Sequence, residues 1–136
     1  MKRMGSIMKH HRMFNVSVLS NLEAQIGPQS MDEAFDHLLA DVRSGAETLA
    51  NCLDTGDEAR ARRTGHKLKG IIEQYGVRDP EQRANNLSSR YDLYWINECT
   101  ALFALCQALI DEIRKIQQAR SASNDDLMSE TSRQAI

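Results

Sequence analysis

One histidine in this chain stands among residues that would make its imidazole useful. His66 lies in the stretch Asp57 to Gly76, DEARARRTGHKLKGIIEQYG. An imidazole of ordinary pKa, near 6.5, is partly neutral at cellular pH, and its neutral ring nitrogen is a nucleophile. A phosphoryl group accepted there would bring about two negative charges. Arg62 and Lys69 stand about one turn away on either side, and Arg63 and Lys67 are close. Such a cluster offsets the charge. Gly65 directly precedes the histidine and Gly70 lies one turn beyond it. Each glycine costs a helix about 1 kcal/mol relative to alanine. Gly70 would clear space over the imidazole, and close approach of another backbone would account for such glycines. An idle surface histidine in a basic helix would show the same spacing and charge, so the residues alone leave both readings open.

The stretch must be a helix for these side chains to share a face. At about 100° per residue, Ala59, Arg62, Arg63, Lys69, Gly70 and Glu73 fall within roughly 60° of His66. Ala61, Thr64, Leu68, Ile71, Ile72 and Tyr75 gather on the other side. The apolar side faces a core and the histidine faces water. Asp57 suits the N-cap and the positive end of the helix dipole, and Gly76 is placed to end the helix.

The flanking chain supplies further helices. Residues 16–26 put Val18, Leu19, Leu22 and Ile26 on one side, before Gly27 and Pro28 stop the run. Ser30 with Glu33 three residues later has the capping-box pattern. Behind it runs an apolar stripe of Met31, Phe35, Leu38, Leu39, Val42, Ala46, Leu49 and Leu53, ending near Asp54. Gly45 within it marks a close helix crossing, and Thr55-Gly56 makes a turn. His37 lies off the stripe, as a solvated residue. Asp79 and Pro80 open a fourth helix to about Ser89. In the fifth, Trp95, Cys99, Leu102, Cys106, Leu109, Ile113 and Ile116 recur at steps of three and four, widened by Ile96, Phe103 and Ile110, as far as about Gln118. These elements predict an all-α protein: an antiparallel four-helix bundle with a short additional N-terminal helix. Residues 1–14 read as a flexible basic arm, 15–119 as the bundle and 120–136 as a disordered polar tail.

Composition narrows the function. The formal net charge of the 136 residues is −2, so no global field points to nucleic acid. Cys52, Cys99 and Cys106 sit in apolar helical contexts and read as buried free thiols, which suits a reducing compartment. The basic start lacks the apolar core of a secretory signal, and no run is long enough to span a membrane. The expected location is the cytoplasm. No glycine-rich nucleotide loop argues for a kinase, and no His/Asp/Glu set has metal-ligand spacing.

His66-Lys67-Leu68-Lys69-Gly70, with Gly76 ten residues after the histidine, resembles the signature of histidine-containing phosphotransfer (HPt) domains, roughly H-x-L-K-G. The short helix ending at Gly27, the long helix to Leu53 and the Asp57-led helix are similar to the family over about residues 16–77. The resemblance implies a phosphorelay intermediate of a two-component system, monomeric and working in the cytoplasm. His66 would exchange a phosphoryl group with aspartates of response-regulator receiver domains, through Nε2, in a relay fed by a hybrid sensor histidine kinase. Lys69 would steady the phosphate and Gly70 would give access. Arg62, Arg63, Lys67 and Glu73 would serve docking and electrostatic support. Such a protein is a phosphocarrier with no cofactor of its own; magnesium is expected on the receiver. It binds no nucleic acid and no membrane. Family members usually have small residues five to seven positions after the histidine, where this chain has Ile71, Ile72 and Glu73, and often alanine where it has Gly65. Glu73 can pair with Lys69 at i, i+4 and compete with phosphate for it. A degenerate HPt-fold adaptor, binding a receiver or kinase without relaying, is the alternative.

Overall fold

A computed structural model describes residues 13–77, 79–89 and 94–134. Five helices follow in order: α1 Val16–Ile26, α2 Pro28–Thr55, α3 Glu58–Glu73, α4 Asp79–Ser89 and α5 Trp95–Gln134. Helices α2 to α5 form an antiparallel four-helix bundle, and α1 packs beside α2. The ring runs in chain order, because each short connection returns the next helix alongside the last. The ring closes where α5 meets α2 in antiparallel register. There the Cys99 thiol faces the Leu49 carbonyl at 3.7 Å, and the Gln117 amide donates to Asp36 at 2.7 Å.

The turns follow from capping chemistry. Asn15 caps α1, its Oδ1 accepting from the Ser17 and Val18 amides. Asp57 caps α3 by accepting from the Arg60 amide at 3.0 Å, as expected of a short acid at a helix start. The second helix begins earlier than its sequence signal. Gly27 is its N-cap and Pro28 occupies the first turn, where a missing amide proton costs nothing, so Ser30 lies inside the helix and caps nothing. Gly56 closes α2 in the left-handed region, φ 71°, its amide donating to Cys52 at 2.8 Å. Beyond α3, Gly76 has φ 67° and its carbonyl accepts from the Asn15 amide. Phe14 pairs with Val77 in an isolated bridge. Met13 and Phe14 are buried, so the bundle starts two residues before the expected end of the basic arm. Residues 1–12 of that arm lie outside the described residues.

The predicted stripes form one core. Met31, Phe35, Leu38, Val42, Leu49, Leu68, Ile72, Leu87, Leu102, Leu109, Ile113 and Ile116 are all buried. Each such side chain contributes about 1.5–3 kcal/mol on leaving water. Ile26 and Ile96 are exposed, so the stripes on α1 and at the start of α5 are narrower than the sequence suggests. The three cysteines are free and buried. Burial, with the neighbouring Cys52 thiol, pushes Cys99 up to about 11, and burial with Cys99 beside it pushes Cys106 up to about 12. Both thiols are therefore protonated and inert at neutral pH.

Helix α5 does not stop near Gln118. It is helical to Gln134, through most of the segment expected to be a disordered tail, and no glycine or proline between 119 and 134 interrupts it. The extension matters at Arg120. Its Nε lies 2.6 Å from Asp32, its Nη2 lies 2.8 Å from Glu23 and donates to the Pro28 carbonyl, and its guanidinium carbon lies 5.6 Å from the Phe35 ring centroid. One side chain so joins α1, the α1–α2 corner and α5. About two turns before Arg120 on α5, the Met13 backbone hydrogen-bonds Glu112, whose carboxyl burial still holds above the usual range.

Candidate functional site

Helix α3 presents His66 to water, as the wheel predicts. Arg63, Lys67, Gly70 and Glu73 are exposed beside it, and Lys69 is half-buried. Ala61, Leu68 and Ile72 are buried beneath. Helical side chains lean toward the N-terminus, so Lys69, one turn beyond His66, leans back toward the imidazole. Among the described residues no ion pair joins Lys69 to Glu73. The lysine is accordingly not held by that carboxylate.

The two glycines flanking the histidine have different causes. A Cβ on Gly65 would meet the Ala84 carbonyl oxygen and the Leu87 side chain at 3.2 Å. Gly65 is buried, and it is the point where α4 settles onto α3. A Cβ on Gly70 would meet nothing within 4 Å. Glycine is not needed there for packing, and its lack of a side chain leaves the C-terminal flank of His66 open. Gly70→Ala is expected to raise stability by about 0.5–1 kcal/mol, read from the denaturant midpoint. The same change is expected to slow any reaction that must reach the imidazole from that side. A third glycine, Gly45 on α2, lets Leu68 of α3 seat: a Cβ there would lie 2.6 Å from Leu68 Cδ2. The close crossing expected from the sequence is therefore real.

Arg62 departs from expectation. The wheel sets it on the histidine stripe, but it is 6% exposed. Its Nη1 donates to the Leu87 carbonyl at 2.9 Å and its Nη2 pairs with Glu58 at 3.0 Å. The reason is α4, which lies over Gly65 and covers that flank of α3. Arg62 is a strut between the two helices and lies outside the exposed cationic set around His66.

Sequence reasoning does not single out the other flank. Between α2 and α3 runs a groove of about 270 Å³, lined by Asp41, Ser44, Gly45 and Thr48 on one side and Arg60, Arg63, Thr64 and Lys67 on the other, with Leu68 and Ile71. Arg60 stands about 120° from His66 on the wheel, outside the stripe, and only the position of α2 brings it into one surface with Arg63 and Lys67. Among the described residues, no group of three or more His, Cys, Asp or Glu side chains is arranged to hold a metal, and no helix is long and apolar enough to cross a membrane.

The arrangement can do one kind of chemistry readily. An accessible imidazole on a helix packed on three sides offers a ring nitrogen to an incoming electrophile, with Lys69, Arg63 and Lys67 near to offset negative charge. No protein-family model matches the chain, and a search of curated proteins returns no match. Among solved structures the chain is similar to the crystal structure of histidine-containing phosphotransfer protein B (HptB) from Pseudomonas aeruginosa PAO1, at 18% identity over 93% of this chain and 98% of that one, with a TM-score of 0.49.

Proposed function

We propose that the protein is a phosphorelay intermediate that accepts and donates a phosphoryl group on His66. The observation that carries this reading is the exposed His66, set in the sequence His66-Lys67-Leu68-Lys69-Gly70 with open space at Gly70. In the forward step the lone pair of Nε2 forms an N–P bond. The P–O bond to the aspartate of a receiver domain breaks, and the carboxylate leaves with the electron pair. The proton on Nδ1 stays or passes to solvent. Lys69 steadies the phosphoryl oxygens and the reverse step loads a second receiver. The kinase that feeds the relay is a hybrid sensor histidine kinase, and any magnesium sits on the receiver. This chain supplies a positioned nucleophile and local positive charge.

The test is incubation of the purified protein with phosphorylated receiver domains from the same genome. The expected result is acid-labile, base-stable phosphate on this chain. A wild type that binds a receiver yet acquires no such phosphate overturns the relay and leaves the adaptor reading.

A further inference from the structure

Residues 13–15 form a strap that ties α5, α1 and the end of α3 together. The Met13 amide donates to the Glu112 carboxyl on α5. Phe14 pairs with Val77, and the Asn15 amide donates to the Gly76 carbonyl at 3.0 Å while the Asn15 side chain caps α1. Met13 and Phe14 are both buried, so the strap is packed into the bundle. Glu112 is an unusual anchor for it. Its Oε2 is buried and meets no hydrogen-bond donor among the described residues. An ionised carboxylate is comfortable with two or three donors, and here the Met13 amide stands alone. The charged group that acts on Glu112 is Lys115, exposed and three residues further along α5. Among the described residues, the strap, α1, α3 and α4 bring no charged or titratable group to bear on it. Burial, opposed by the Met13 amide and by Lys115, holds the carboxyl above its ordinary range.

We propose that Glu112 is a pH-sensitive latch on this strap: its neutral carboxyl keeps Met13–Asn15 closed over the end of the bundle, and its carboxylate loosens them. The neutral acid still offers an oxygen to the Met13 amide, and burying its other oxygen costs less than burying a charge. The carboxylate regains water only when Met13 lifts away. Exposure of the apolar Met13 and Phe14 side chains opposes that movement, so the opening is local and leaves the four-helix core intact. The sign follows from the raised carboxyl. The stabilisation is fully present below the ordinary carboxylate pKa, near 4.3, and is lost as pH rises through the higher value of Glu112 in the folded protein. The effect reaches α3. Gly76 approaches α1 so closely that a Cβ there would lie 3.0 Å from Val18 Cβ, and its carbonyl is held by the strap. Opening therefore frees the turn that ends the helix bearing His66. The latch is independent of the relay reading.

The experiment is amide hydrogen exchange on the full chain by NMR, expressed as protection factors from about pH 4.5 to about pH 8, with the Glu112 carboxyl resonance titrated in the same samples. Protection at Met13, Phe14 and Asn15 is expected to fall as pH rises, with a midpoint that coincides with the titration of Glu112. Glu112→Gln keeps an acceptor for the Met13 amide and cannot ionise, so its protection at these three residues should not depend on pH. Lys115→Gln removes the one cation that favours the carboxylate, so the loss of protection should move to higher pH. Lys115 is exposed, and this variant together with the wild-type titration decides the matter even where Glu112→Gln folds poorly. The latch is overturned by wild-type protection that does not change with pH. It is equally overturned by the same pH dependence in Glu112→Gln, or by a midpoint that Lys115→Gln does not raise.

Discussion

The His66→Gln protein is expected to acquire no acid-labile phosphate from any phosphorylated receiver, and to unfold at the wild-type denaturant concentration within about 0.5 kcal/mol. Glutamine keeps a polar side chain of similar reach and removes the nucleophilic ring nitrogen. The side chain is exposed, so its loss leaves no cavity and no buried partner. Chemistry and stability are thus separated in one variant. Lys69→Ala is expected to slow transfer without abolishing it, because the nucleophile stays and only part of the charge compensation goes. If His66→Gln still takes up phosphate that is labile to acid, the nucleophile is another residue.

The second large effect concerns the end of the chain. Arg120→Ala is expected to destabilise the bundle by about 2–4 kcal/mol, read as a lower urea midpoint with an unchanged slope. The side chain of Arg120 is 11% exposed and that of Glu23 16%. Removing the guanidinium leaves the largely covered Glu23 carboxylate short of a donor, while the exposed Pro28 carbonyl can turn to water. The comparison is Arg83, which pairs with Glu98 at 3.2 Å but has a side chain 44% exposed. Arg83→Ala should cost less than about 1 kcal/mol. A chain ended at Gln118, where the apolar periodicity stops, should lose at least as much as Arg120→Ala. An effect of that truncation no greater than that of Arg83→Ala would show the corner to be idle.

Much of the fold is legible in the amino-acid sequence. Periodicity of three and four locates the helices and most of the core, because burial and helical repeat impose the same pattern. Asp57, Gly27, Gly56 and Gly76 are legible because capping and positive φ favour few residue types. The failures share a cause. A helical wheel gives directions around one axis and does not say where the neighbours stand. Arg62 points about 40° from His66 on the wheel, yet α4 lies there, drawn in by Gly65 and the small Ala84. Arg60, Arg63 and Lys67 point away from the core, yet α2 makes one wall of a groove with them. Arg120 is hidden differently: a single polar side chain beyond an apolar repeat adds nothing to periodicity, and its partners lie near the start of the chain. Ser30 misleads because a capping box competes with a glycine–proline corner two residues earlier, and the proline prevails.

The closure of the ring by α5 also sets the order in which the protein can be built. The apolar stripe of α2, from Met31 to Cys52, is covered largely by α5, and the pair that locks the corner joins residues 88 positions apart. On the ribosome α2 and α3 emerge and can pair, but the main cover for their shared apolar surface is still being synthesised. Contacts so distant in sequence are costly to close and form late. The nascent chain therefore carries an exposed hydrophobic strip until α5, as far as Arg120, has left the exit tunnel. Over that interval the strip is open to association with other apolar surfaces.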